Sequence, residues 1–191
     1  MKRLLDWIRQ WPAIAVAAAL AAGALLGVPV AAKVDSHFSS DAFCAKGCHV
    51  MEGTVYQELK QSTHGTSSKG VHPTCAQCHI SRSLPVAMWE HFLGLSDLYA
   101  YVVEGIRTPA DFEKVRAASA ERGRLDMLAN DSEGCRGCHV MAEIKPEKKR
   151  GQRQHTEALE KGTTCIACHY NLVHKEVEPS KHFLKRTGLE D

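Results

Sequence analysis

The chain has 191 residues, with 24 Lys and Arg against 22 Asp and Glu and a formal net charge of +2. So even a balance lacks the overall basic charge common in proteins that grip nucleic acid, and no nucleic-acid partner is expected. Aromatic residues are only 6% of the chain, and part of its 44% hydrophobic content is spent on one N-terminal run, which excludes a conventional aromatic-rich core for the remainder.

The first predicted element is a membrane anchor. Lys2, Arg3 and Arg9 lie in a positive flank, residues 1–10, ahead of an uncharged run over 11–32 from Trp11 to Ala32. About 20 apolar residues let a helix cross the roughly 30 Å hydrocarbon layer. The positive-inside rule places everything after Lys33 on the far side, and Trp7 and Trp11 suit the headgroup zone. The competing reading is a removable leader, because Val30-Ala31-Ala32 resembles a small-residue cleavage site.

All eight cysteines then fall in four signatures: Cys44 to Cys48-His49, Cys75 to Cys78-His79, Cys135 to Cys138-His139 and Cys165 to Cys168-His169. Two nearby thiols form thioethers to the two vinyl groups of one haem, and the histidine that follows reaches the iron. A zinc ribbon also uses paired cysteines, but it has no reason to place histidine after each second cysteine four times. The first signature carries three residues between its cysteines, so a Cys44–Cys48 disulfide competes there. Four covalent haem c groups in residues 33–191 supply much of the buried apolar surface themselves. The expected fold is mainly α with few regular elements, short helices and loops wrapped on haems. Haem propionates would make this outer domain acidic despite the formal charge.

An internal repeat organises the domain. Cys48 precedes Cys78 by 30 residues and Cys138 precedes Cys168 by 30, while Cys-His-Val-Met occurs at both Cys48 and Cys138. His64 and His155 follow at matching distances, as do His91 and His182. These spacings predict two duplicated dihaem units, about 40–105 and 131–182, each stacking two haems. Between them Thr108-Pro109-Ala110-Asp111 starts a connector helix over about 108–129. Its charges Glu113, Lys114, Arg116, Glu121, Arg122 and Arg124 read as a solvated face. A second helix is expected from about Pro85 to Val103, its apolar residues packing on a haem or facing the membrane.

The chain resembles the NapC/NirT/NrfH family of membrane-anchored tetrahaem cytochromes, which pass electrons from quinol to periplasmic reductases. The likeness rests on Phe43-Cys44, Cys48-His49-Val50-Met51, Val55-Tyr56-Gln57-Glu58, Ser62-Thr63-His64, Gly70-Val71, Ser96-Asp97-Leu98-Tyr99, Thr108-Pro109, Asn130 and Val173-His174. It implies a single-pass protein of the bacterial inner membrane with its haem domain in the periplasm. The implied partners are the lipid bilayer, a membrane quinol (menaquinol or ubiquinol) and a periplasmic redox protein or reductase, with a homo-oligomer possible.

Four low-spin haems would need four distal donors, and seven histidines lie outside the signatures. The signature histidines His79, His139 and His169 are the proximal ligands. The resemblance assigns distal roles to His64, His155 and His174, and the repeat independently favours His64 and His155. His37, His72 and His182 read as solvated. At the first haem the resemblance allows Met51 to replace His49 on the iron, leaving the opposite face open, and the longer loop keeps both choices alive; Met141 reads as packing. The resemblance also places Asp97 as the carboxylate over that haem and expects a lysine where this chain has His91. A neutral imidazole can take a proton from a quinol hydroxyl, so His91 reads as a quinol contact, with iron ligation the alternative. The function implied is quinol oxidation and one-electron transfer to a periplasmic partner. The alternatives are flow in reverse into the quinone pool, reduction of a small molecule at the open first haem, or a soluble shuttle if the leader is cut.

Overall fold

The structure is a computed structural model and describes residues 2–47 and 49–188. Among these residues it is helical with no strand. It divides into two compact units, and the boundary falls between Phe38 and Ser39.

The first unit is a single helix, α1 (Lys2–Phe38), of 37 residues. At 1.5 Å per residue it is about 55 Å long, well beyond the roughly 30 Å hydrocarbon layer. Alanine and leucine give the segment its helical bias, and an 18-residue window within Trp11–Phe38 has a mean hydropathy of 2.2 with no residue buried. The helix continues past Ala32 through Lys33 to Phe38, and Pro12 and Pro29 lie within it. Trp7 and Trp11, one turn apart, meet edge to face with ring centres 5.0 Å apart. The side chains of Lys2 and Arg9 lie outside the described residues.

The second unit strings short helices together: α2 (Asp41–Cys44), α3 (His49–Glu52), α4 (Val55–Gln61), α5 (Cys75–His79), α6 (Leu84–Leu93) and α7 (Leu95–Tyr99). After a π-helical turn (Ala100–Glu104) come α8 (Pro109–Ala129), α9 (Glu133–Arg136), α10 (Lys149–Lys161), α11 (Cys165–Cys168) and α12 (Lys181–Thr187). Local chemistry starts several of them. The Thr74 hydroxyl accepts the Gln77 N–H, completing a capping box that begins α5 at the first cysteine of its signature. Thr108 and Asp111 form the same reciprocal device at α8, with Pro109 at its first position, as the sequence predicts.

The helix predicted over Pro85–Val103 is divided. Gly94 closes α6 and opens α7, and the π-helical turn ends at Gly105 with φ +76°, a conformation that suits glycine. Along this stretch Trp89, Phe92, Leu95, Leu98, Tyr99 and Val102 are each more than half exposed. The connector α8 also departs from expectation, since Arg116 and Arg124 on its supposedly solvated face are buried, 7% and 4% exposed. α4 and the C-terminal segment cover that face, and each guanidinium is matched there by acceptors described below.

The apolar core of the polypeptide is small. Among the described residues half of its buried members are alanines, with Val50, Leu59 and Ile166, and Phe183 is the one large aromatic fully enclosed.

Candidate functional site

The attachment signatures sit at helix boundaries that lock onto one another in sequence order. Asp41, opening α2, accepts the backbone N–H of Cys75 through Oδ1 at 3.0 Å, joining the first signature to the second. Glu133, opening α9, accepts the Arg82 N–H at 2.9 Å and the Ser81 hydroxyl at 3.2 Å just beyond the second signature. Gly134 lies against Cys78: a Cβ there would stand 2.6 Å from the Cys78 carbonyl oxygen, so only glycine permits this approach between the second and third signatures. Ser132, before the third signature, accepts the Ile166 N–H at 3.0 Å inside the fourth. The thiols follow the same order. Cys75 lies near Cys44, Cys78 near Cys138, and Cys135 near both Cys165 and Cys78.

Burial, then the neighbouring Asp41 carboxylate, pushes the Cys75 thiol up to about 12; burial likewise raises Cys78, Cys135 and Cys168. Among the described residues no group of three or more His, Cys, Asp or Glu converges as a metal cluster would. Cys48 and the side chain of His49 lie outside the described residues, so the first signature's pairing and the choice of His49 as ligand lie there too. Met51 is half-buried on α3.

The histidines meet in pairs. Ring centres of His64 and His139 are 6.3 Å apart with planes at 89°; those of His79 and His174 are 6.2 Å apart at 31°; those of His155 and His169 are 6.1 Å apart at 89°. Two of the three pairs cross between the halves of the repeat. Two imidazoles bound to opposite sides of one metal, each nitrogen about 2.0 Å from it and about 1.1 Å from its own ring centre, have centres about 6.2 Å apart. Each pair joins a signature histidine to one outside the signatures. His64 and His155 each hold a buried Nδ1 with no hydrogen-bond partner, and that of His174 has only the Glu58 carboxylate at 3.5 Å, whereas buried polar atoms are otherwise almost always well satisfied. Donor chemistry, spacing and unmet hydrogen bonds therefore fit haem iron at three positions.

Around His174 the setting is charged. Glu58 on α4 takes two hydrogen bonds from Arg116, at 2.7 and 3.2 Å, and one from the Lys175 N–H at 3.0 Å. Its carboxylate stands 3.5 Å from His174 Nδ1. Burial works to raise the Glu58 carboxyl, but these donors outweigh it and hold it low. Arg116 also binds Glu113 at 2.7 Å, and Glu113 binds Lys175 at 3.0 Å. The sequence quoted Glu58 in a motif without a role, and it offered no signal for Ser132 beyond its place beside Asn130 and Asp131.

Asp97 and His91 lie on adjacent helices, α7 and α6. The Asp97 side chain is 75% exposed and faces Arg122 of α8 at 3.6 Å, while half-buried His91 shares a hydrogen bond between Nε2 and Ser39 Oγ at 3.1 Å. Of the histidines expected to be solvated, His72 reaches the His64 carbonyl at 3.3 Å and His182 reaches Glu121 at 3.3 Å. His37 lies in the last turn of α1.

Paired thiols at helix boundaries, linked in series and faced by opposed imidazoles, define a multihaem c-type cytochrome. The chain belongs to the NapC/NirT cytochrome c family, whose N-terminal-region model matches residues 9–179. It is 31% identical over 189 residues to cytochrome c-type protein NapC of Escherichia coli K12, covering 94% of each chain. It is 35% identical over 138 residues to denitrification system component NirT of Stutzerimonas stutzeri, 71% of this chain and 68% of that one. A putative tetraheme cytochrome c of Allochromatium vinosum is 35% identical over 136 residues, 70% of this chain and 73% of that one. No solved structure matches the chain significantly. The protein is thus an electron-transport cytochrome carrying covalently bound haem c.

Proposed function

We propose that the chain is a membrane-anchored quinol dehydrogenase that binds four haems and passes electrons singly to a periplasmic redox partner. The observation that carries this reading is the set of opposed histidine pairs on the second, third and fourth signatures, joined in series by Asp41, Glu133, Gly134 and Ser132. Helix α1 is the anchor, with its positive flank in the cytoplasm. Bound haem supplies a one-electron acceptor that cycles between ferric and ferrous iron. His79 and His174, His139 and His64, and His169 and His155 hold the second, third and fourth groups, while Cys44, Cys48 and Met51 or His49 hold the first.

Each quinol releases two protons with its two electrons, so the polypeptide must supply acceptors. The exposed Asp97 carboxylate, which faces Arg122 at 3.6 Å, takes one. The His91 imidazole takes the other, oriented by its Ser39 hydrogen bond. The apolar side chains from Trp89 to Val102 give a lipid-soluble quinol a surface to cross.

Replacing Asp97 with Asn tests the assignment, using the full chain in detergent. Electron entry from a menaquinol analogue should be lost while dithionite still reduces every haem. Quinol oxidation at the wild-type rate in that variant overturns the role of Asp97.

A further inference from the structure

The stretch Lys145–Arg153 carries five cations, Lys145, Lys148, Lys149, Arg150 and Arg153, against one carboxylate, Glu147. That excess is larger than the net charge of the whole chain, +2. All six side chains are exposed. Among the described residues these five cations make no ion pair, whereas Lys114 pairs with Asp111, Arg122 with Asp97, Arg136 with Asp131 and Lys175 with Glu113.

Placement sharpens the contrast. Lys148 is the N-cap of α10, without a side-chain cap, and its first turn holds no acid. A helix presents positive charge at its N-terminus, so cations there are unfavourable. At the far end of the same helix the orthodox pattern returns, with Lys161 held by Glu157 at 2.6 Å. Folding therefore gains nothing from the cluster, which instead concentrates positive potential at one end of α10. The same helix carries His155, whose ring faces His169 of the fourth signature. Five residues of helix separate Arg150 from His155, about 7.5 Å along the axis.

We infer that Lys145–Arg153 is the docking surface for an acidic electron-accepting protein, which receives electrons from the haem held by His155 and His169. This rests on the proposed transfer to a soluble partner and adds where that partner binds and what charge it carries. Complementary charge raises encounter rates and fixes orientation. The transfer is a single electron from ferrous haem to the oxidised metal centre of the acceptor, with no proton or bond exchanged.

The test uses the full chain in detergent, reduced with dithionite so that quinol plays no part. Plastocyanin serves as a strongly acidic acceptor and mitochondrial cytochrome c as a basic one. With the wild type, transfer to plastocyanin should slow as salt is added. The triple variant K148E/K149E/R150E, with haem content verified by pyridine haemochrome, should transfer to plastocyanin at least about tenfold more slowly. Its rate to the basic acceptor should hold or rise, and K148Q/K149Q/R150Q should fall between. Unchanged plastocyanin rates, or an equal loss toward both acceptors, overturns the proposal. So does a patch claimed by lipid: in phosphatidylglycerol liposomes compared with phosphatidylcholine, only the wild-type plastocyanin rate would then collapse. Failure of Asp97→Asn to block quinol oxidation would leave these outcomes standing, because no electron here enters from quinol.

Discussion

Ser132 reaches across 34 residues to take the backbone N–H of Ile166, and the two oxygens of Ser132 and Thr164 lie 2.7 Å apart. Ser132 is 1% exposed, and its φ of +55°, like that of Asp131 at +54°, lies in the left-handed region. Such backbone costs a non-glycine residue on the order of 1–3 kcal/mol. The hydroxyl, which fastens the third attachment helix to the fourth, is what the fold gains in exchange.

Ser132→Ala should therefore destabilise the haem-loaded protein by about 1–3 kcal/mol, the cost of a buried N–H left without its acceptor. Ser132→Gly should lose less, since glycine accepts this φ without strain. Urea unfolding followed by the Soret band checks both. Equal stability of the alanine variant and wild type would mean that the hydroxyl does not hold the two signatures together.

Arg116 anchors a second joint, from α8 to α4 and the segment after His174. Its side chain is 9% exposed and that of Glu58 is 20% exposed. Arg116→Met removes the countercharge of a largely buried carboxylate, and about 2–4 kcal/mol of stability should go with it. Glu58→Gln should do less to stability and more to redox behaviour. Without an anion beside His174, the haem attached at Cys75 and Cys78 should become easier to reduce. A spectroscopic redox titration should show one potential rising while the others stay; a titration curve identical to wild type would leave Glu58 a purely structural role.

What could be read in advance was what local chemistry specifies. The four signatures, the apolar run of α1 and the Thr108–Asp111 cap each announce themselves within a few residues. The partnering of His64 with His139 and of His79 with His174 is set by how the halves interlock, and nothing near either residue encodes it. Arg116 and Arg124 mislead for the same reason: charged residues at helical spacing look solvated until the acceptors that bury them, contributed by α4 and by residues 171–178, are known. Gly94 is the local signal for the division, set among apolar residues that continue the helical pattern on both sides.

The crossed histidine pairs make a sharp claim about His64. Replacing it with Ala should convert one low-spin haem to high spin, and that haem should be the one attached at Cys135 and Cys138. Electron paramagnetic resonance of the oxidised protein reads the loss of one low-spin signal. Because His64 and His139 face one another, the His64→Ala/His139→Ala variant should still affect one haem. Loss of two low-spin signals in the double variant would show that the residues serve different irons.

Arg124 closes the C-terminal segment onto α8. One guanidinium nitrogen donates to the Val177 carbonyl at 2.6 Å and to Asn171 Oδ1 at 2.8 Å, and the group lies 5.2 Å from the ring centre of Tyr170. Phe183, fully enclosed, meets that ring edge to face at 5.7 Å. Lysine has neither the planar fork nor the flat face that these contacts use. Arg124→Lys should accordingly cost about 2–3 kcal/mol, because two or more buried acceptors lose a charged donor, and it should loosen residues beyond Asn171. Limited trypsin digestion with mass readout follows this directly, through faster cleavage after Lys175 and Lys181. A digestion pattern matching wild type would show that Phe183 and the Lys175 bridges hold the segment in place without Arg124.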